Sequence, residues 1–191
     1  VSERRALVVG ATGQLGPAIC RHLRSLGFGL VLAARRPDPL TRLARGLRAR
    51  ALPWDITRDP ALLLDLAGPV TLLVNAAVRR PLASDVEDPW SPEVLRRLLE
   101  VNAVAPARLV RAFAAQLTEP GLAVLLTEEE PPLSAYAASI AALETMGPAL
   151  SEGFPLCSVR FVGQTRGPKV NPARTAALVE ALVLERRGAA R

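Results

Sequence analysis

The residues with the clearest chemistry are three glycines near the start of the chain. Gly10-Ala11-Thr12-Gly13-Gln14-Leu15-Gly16 follows a short apolar run and leads into a helical pattern. In that setting Gly10 permits a tight turn, and Gly13 lets backbone N–H groups approach a pyrophosphate. Gly16 allows close packing of helix on strand, and the helix N-terminus adds partial positive charge. The loop, with Thr12, Gln14 and Leu15 between its glycines, reads as a dinucleotide phosphate cradle, the alternative being a purely structural glycine turn. Nineteen residues beyond Gly16, where a second apolar run ends, stand Arg35 and Arg36. An NAD site carries an acid there to bond the ribose 2′-hydroxyl, whereas two guanidinium groups match a 2′-phosphate. NADP(H) is therefore the expected cofactor rather than NAD(H), against the alternative of a solvated helix entry.

Other charged groups carry weaker signals. Glu128-Glu129-Glu130 precedes Pro131-Pro132. A buried glutamate there could act as acid or base, or accept a hydrogen bond from a substrate; a solvated turn stiffened by the prolines is the bland reading. Arg79-Arg80 could meet an anionic substrate with planar, bidentate contacts, or simply be solvated. His22, the only histidine, lies in a helix away from any strand end and has no expected catalytic role. Cys20 and Cys157 give neither a disulfide framework nor a metal spacing and read as core residues, so no metal is expected. Trp54, Trp90 and Met146 read as packing residues.

The elements that must position these groups alternate strictly. Strand-like runs cover Arg4 to Val9, Gly29 to Ala33, Val70 to Asn75, Leu122 to Thr127 and Leu156 to Phe161, with Ala49 to Pro53 a weaker sixth. Helical patterns span Leu15 to Leu26, Asp38 to Leu47, Asp59 to Leu66, Pro92 to Leu117, Leu133 to Leu150 and Pro172 to Arg187. Asp59-Pro60 and Asn171-Pro172 each place a capping residue before proline at the first helical position. This alternation predicts an α/β fold: a mostly parallel, doubly wound sheet of about six strands in the order 3-2-1-4-5-6, helices on both faces, and ligands beyond the carboxyl ends of the strands.

The chain has 191 residues, 50% hydrophobic, 22% charged and 4% aromatic. That length predicts one domain, residues 1–191. No uninterrupted apolar run approaches the roughly 18 to 20 residues of a membrane span, and no secretory pattern opens the sequence, so a cytoplasmic location and no membrane partner are expected. The net charge is +6, and of the 24 basic residues all but Lys169 are arginine. Neither a nucleic-acid docking motif nor an aromatic stacking platform accompanies them, so no nucleic-acid partner is expected.

Set in order, these segments resemble the short-chain dehydrogenase/reductase family over almost the whole chain. The glycine loop is similar to the family's GxxGxxG form. Trp54-Asp55-Ile56 resembles the Asp-Val pair that contacts adenine, and Val74-Asn75-Ala76-Ala77 resembles the Asn-Asn-Ala-Gly that borders the cofactor. Val101-Asn102-Ala103 resembles the helix asparagine whose backbone carbonyl helps hold a proton-relay water. Tyr136-Ala137-Ala138-Ser139 resembles the start of the signature helix with its catalytic tyrosine. The resemblance implies a Rossmann-type fold, hydride transfer to or from a carbonyl or hydroxyl carbon of a small molecule, and a homodimer or homotetramer joined through the two long helices.

The departures fall at the chemistry. The family's lysine, four residues after the tyrosine, is replaced by Ile140. Without that cation Tyr136 is expected near the ordinary tyrosine value of about 10, with roughly one part in a thousand as phenolate at pH 7. The family's serine spacing lands on Ala123, inside a strand, and leaves Thr127 as the substitute hydroxyl. Gln164-Thr165 keeps a threonine near the position that touches the nicotinamide carboxamide. The short segment from Phe161 to Asn171 leaves no room for the family's substrate lid. Two functions thus remain open: an oxidoreductase with an eroded centre, or a nucleotide-binding protein of this fold that does no redox chemistry and serves as sensor, scaffold or partner subunit.

Overall fold

The structure is a computed structural model and describes residues 4–82, 85, 88, 90–128, 134–163 and 171–189. Glu129 to Pro132, Thr165 and Lys169 lie outside the described residues. Six strands form a single parallel sheet: β1 (Arg5–Val9), β2 (Gly29–Ala34), β3 (Arg50–Pro53), β4 (Leu72–Asn75), β5 (Gly121–Leu126) and β6 (Cys157–Val162). Their order is β3-β2-β1-β4-β5-β6, as the alternation predicts. The helices are α1 (Gly16–Ser25), α2 (Pro37–Leu47), α3 (Pro60–Ala67), α4 (Pro92–Leu99), α5 (Ala105–Ala115), α6 (Ala135–Glu152) and α7 (Pro172–Ala189).

Period-two alternation sends neighbouring strand residues to opposite faces. Leu7, Val9, Val31 and Leu73 pack with Leu63 of α3, Phe113 of α5 and Leu143 of α6. Ala6, Val8, Leu32 and Val74 pack on the other face with Ile19 of α1, Leu40 of α2 and Val179 of α7. A buried leucine such as Leu7 or Leu32 contributes about 1.5 to 3 kcal/mol relative to exposure. Both cysteines are core residues, Cys20 among the α1 group and Cys157 on β6.

Register aligns the functional edge. Val9 sits opposite Ala33 on one side and Asn75 on the other, and Asn75 sits opposite Leu125. The residues just beyond this row are Gly10, Ala34 and Ala76, so the glycine loop and the loop after β4 leave the sheet side by side. Caps fix where helices begin: the Asp59 carboxylate accepts from Ala61 N–H at 3.0 Å, and the Asn171 amide oxygen accepts from Ala173 and Arg174 N–H groups.

The expected single helix from Pro92 to Leu117 is corrected. It breaks into α4, a π-helical turn over Glu100–Val104, and α5. The cause is Pro106: it has no N–H for the carbonyl of Asn102 four residues earlier, and its ring would crowd that carbonyl in a regular helix. The chain widens by a residue, and Ala105 N–H instead reaches the Glu100 carbonyl.

Candidate active site

The glycine loop holds its shape by necessity at two points. Gly10 has φ +80 and a Cβ there would lie 2.5 Å from Ala77 N, so the loop after β4 can approach only a residue without a side chain. A Cβ on Gly16 would lie 2.3 Å from the Ala11 carbonyl oxygen, where α1 turns back under the loop. No side chain caps the N-terminus of α1; Pro17 has no N–H, and Ala18 and Ile19 donate to the Leu15 carbonyl, so what the helix turns toward the loop is its positive end.

In front of the loop lies a cavity of about 600 Å³. Gly10, Thr12 and Gly13 form its floor, Arg35 and Arg36 stand at the end of β2, and Asp55 and Ile56 follow β3. Ala76, Ala77 and Arg79 close the side toward β4. Partial burial opposes ionisation of Asp55, but hydrogen bonds from Thr57 N–H and hydroxyl, with Arg35 and Arg58 nearby, hold its carboxyl below the usual carboxylate range. Trp54 also lines this cavity, and its buried Nε1–H has no hydrogen-bond partner among the described residues. A long polyanionic nucleotide fits this wall: backbone N–H groups beyond β1, guanidinium groups beyond β2 and an unused indole donor beyond β3.

Asn75 does not line the cavity. It is 1% exposed, and its amide oxygen accepts the Ala77 N–H at 3.2 Å, which pins the turn that carries Ala76 and Ala77. Gln14 and Leu15 belong to a second cavity of about 290 Å³ that shares Gly13, Ala76 and Val78 with the first. Its remaining wall is Arg80, Thr127, Glu128 and Tyr136.

Three of those four side chains form a cluster. The Tyr136 hydroxyl donates to Glu128 Oε2 at 2.6 Å, and an Arg80 guanidinium nitrogen donates to the same oxygen at 3.2 Å. The Glu128 and Arg80 side chains are 4% and 48% exposed. The solvated-turn reading is thus corrected for Glu128, which the end of β5 carries into the site, and the purely solvated reading is corrected for Arg80. The expectation for Tyr136 is also overturned: burial first, then the hydrogen bond to Glu128 and its negative charge, raise the phenol above its ordinary value, against a smaller opposing effect of Arg80.

Asn102 ties the cluster to the scaffold. Its amide oxygen accepts the Arg79 N–H at 2.7 Å, and its amide nitrogen donates to the Arg79 carbonyl and to Ser139 Oγ, each at 2.9 Å. Ser139 in turn donates to the Tyr136 carbonyl at 2.7 Å. One side chain therefore fixes both the loop that presents Arg80 and the helix that presents Tyr136. Pro106 supplies the rest: with no N–H four residues on, the Asn102 backbone carbonyl is spared a regular helical bond. Sequence reasoning missed Pro106 and the Glu128–Tyr136 pairing. The first was readable as a proline four residues after the asparagine; the second required the fold.

Thr127 is buried, with its backbone N–H on the Val162 carbonyl at 3.0 Å, and borders the cavity beside Tyr136. Ile140, one helical turn past Tyr136, is 2% exposed and packs with Val94 and Leu98. Ala123 lies inside β5. His22 is remote from both cavities, pairing with Glu180 across α1 and α7. Among the described residues there is no cluster that could hold a metal ion, and no helix is long and apolar enough to cross a membrane.

A parallel sheet of this order, with a glycine-rich loop at its first strand and a cavity at the point of strand reversal, defines a dinucleotide-binding fold of the Rossmann type. The chain belongs to the short-chain dehydrogenase family, whose model matches residues 4–162. A short chain dehydrogenase of Pseudocercospora fijiensis is 30% identical over 78% of this chain and 54% of its own length. A fatty acyl-CoA reductase of Mycobacterium tuberculosis is 30% identical over 93% of this chain and 71% of its own. The chain thus spans little more than half of the first of these relatives. Among solved structures, a metagenomic short-chain oxidoreductase in complex with NADP superposes with a TM-score of 0.82 at 26% identity, covering 95% of this chain and 91% of that one.

Proposed function

We propose that the chain binds NADP(H) in the larger cavity and, at the smaller one, catalyses hydride transfer to or from a carbonyl, imine or hydroxyl carbon. The observation that carries this reading is that the Tyr136 hydroxyl shares a cavity with Gly13, Gln14 and Leu15 of the phosphate loop. A bound nicotinamide supplies or accepts the hydride. The residues of this chain do the remainder. The loop N–H groups and the α1 terminus hold the pyrophosphate, Arg35 and Arg36 pair with the 2′-phosphate, and Asp55 and Ile56 border the adenosine. Tyr136 is the group that donates or receives the proton on substrate oxygen, and Thr127 stands beside it as a second hydroxyl. The NADP complex of the structural relative supports the cofactor class, and the two arginines support the choice of NADP(H).

A second reading, a nucleotide-binding protein without redox chemistry, is favoured by one observation. Ile140 places an apolar, buried group where the family carries its lysine, and nothing cationic replaces it on α6 next to Tyr136.

Calorimetric titration with NADPH and NADH, followed by turnover assays on a panel of aldehydes, ketones, imines, alcohols and an acyl-CoA thioester, separates the two. The oxidoreductase reading expects NADPH to bind at least about tenfold tighter than NADH, and Arg35→Glu with Arg36→Glu to erase that difference. Tyr136→Phe is expected to lower turnover by about 10²- to 10⁴-fold with binding unchanged. Binding without turnover, and indifference to Tyr136→Phe, would establish the second reading. The self-association of α4, α5 and α6 implied by the resemblance is likewise a proposal, and light scattering of the purified chain tests it: a monomeric mass refutes it.

A further inference from the structure

Resting on the oxidoreductase reading, we propose that Glu128 is the far end of a two-member proton relay. A hydroxyl substrate gives its proton to the Tyr136 oxygen while Tyr136 passes its own proton to Glu128, and Arg80 holds the receiving carboxylate in place.

The geometry is specific. The Tyr136 hydroxyl points its proton at Glu128 Oε2 across 2.6 Å, the length of an O–H···O⁻ bond to a charged acceptor. Both partners are buried, at 3% and 6% exposure. Arg80 reaches the same oxygen from the loop after β4, and that loop is fastened to Asn102 at Arg79. A tyrosine so placed already owns a proton in its resting state. It serves as a base only if that proton has somewhere to go, and the helix offers Ile140 where a cation would stabilise a phenolate. The carboxylate is the group in contact with the tyrosine proton.

The step balances as follows. The substrate O–H bond breaks and a new Tyr136 O–H bond forms; the old Tyr136 O–H bond breaks and a Glu128 O–H bond forms. The carbinol C–H bond breaks with its electron pair, which leaves as hydride to the oxidised nicotinamide dinucleotide, and the substrate carbon becomes a carbonyl carbon. Reduction is the reverse and begins with Glu128 protonated. Tyr136 stays neutral throughout, so its raised ionisation is no obstacle in either direction. Arg80 from the β4 loop and Tyr136 from α6 both contact Glu128.

Two measurements test the relay. Tyr136 is the only tyrosine, so phenolate absorbance during an alkaline titration reports this site alone. Glu128→Gln removes the carboxylate and is expected to bring phenolate formation to lower pH by about one unit or more; an unmoved titration overturns the proposal. The second measurement is the rate of alcohol oxidation with NADP⁺. Glu128→Gln should lower oxidation by about 10²- to 10⁴-fold while NADPH affinity stays within about threefold, and Glu128→Asp should recover part of the loss. Oxidation that is unaffected by Glu128→Gln in a wild type that turns over overturns the relay and leaves the oxidoreductase reading standing. A wild type that turns over nothing on the panel overturns that reading and the relay with it. If Glu128→Gln does not fold, Arg80→Met removes the cation that holds the carboxylate in place, and oxidation must fall by about tenfold or more while NADPH affinity stays within about threefold; unchanged oxidation overturns the relay.

Discussion

At the scale of single residues, the site is a set of replacements that only make sense together. Ile140 fills an apolar niche between Val94 and Leu98, so a lysine there would bury an ammonium among methyl groups. Ile140→Lys is therefore expected to destabilise the fold by about 2 to 4 kcal/mol, visible as a lower denaturant midpoint, and not to restore the family's cation to Tyr136. The raised Tyr136 phenol gives a second prediction. Below about pH 10 the group is neutral both folded and unfolded and contributes no pH dependence. Above that, the unfolded chain loses the proton first while the folded chain retains it, so stability must fall as pH rises. The buried Cys20 thiol, pushed up to about 12, adds a decline of the same sign, so Tyr136→Phe should lessen the alkaline decline without abolishing it, and thermal unfolding of both proteins between pH 8 and about 11 checks it.

At the scale of elements, two tight places govern the site. Gly16 lets α1 pass against the Ala11 carbonyl. Gly16→Ala must push helix and strand apart, with an expected loss of about 2 kcal/mol or more and of dinucleotide binding, measurable by denaturation and calorimetry. Pro106 breaks the helix at Asn102. Pro106→Ala supplies the missing N–H, and the π turn is expected to relax toward regular helix. Turnover should then fall by about tenfold or more with no loss in melting temperature, because the helix gains a bond while the turn that aims the Asn102 side chain at Arg79 and Ser139 is lost. The elements themselves were legible: alternating apolar runs and helix caps such as Asp59 gave strand order and helix starts. The π turn was hidden because apolar spacing continues through Val101 and Ala105, and spacing does not register a missing donor.

At the scale of the whole molecule, the glycine loop was readable because its residues are local, all between Gly10 and Gly16, and the cofactor wall proposed around it adds the β2 arginines a fixed distance beyond. The Arg80–Glu128–Tyr136 cluster was not. Arg80, Glu128 and Tyr136 come from three elements: the β4–β5 register sets the loop of Arg80 beside Glu128, and Asn102 with Ser139 ties the helix of Tyr136 to that loop. Glu128 read as part of a polar run because neither its burial nor its partner can be inferred from neighbours that are also glutamates. The two layers of core behind the sheet make that convergence rigid, each alternate strand residue anchoring one face.

The placement of the tryptophans adds an optical property. Trp54 is 8% exposed and lines the nucleotide cavity, whereas Trp90 is 58% exposed. Their emission is expected to separate by colour, Trp90 at longer wavelength in water and Trp54 at shorter wavelength in its apolar wall. Reduced nicotinamide absorbs where buried indole emits, so a dinucleotide in the cavity would drain the short-wavelength band by resonance energy transfer and leave the long-wavelength band brighter by comparison. If the cavity takes the dinucleotide as proposed, the ratio of the two bands is expected to report occupancy, and Trp54→Phe is expected to abolish that response.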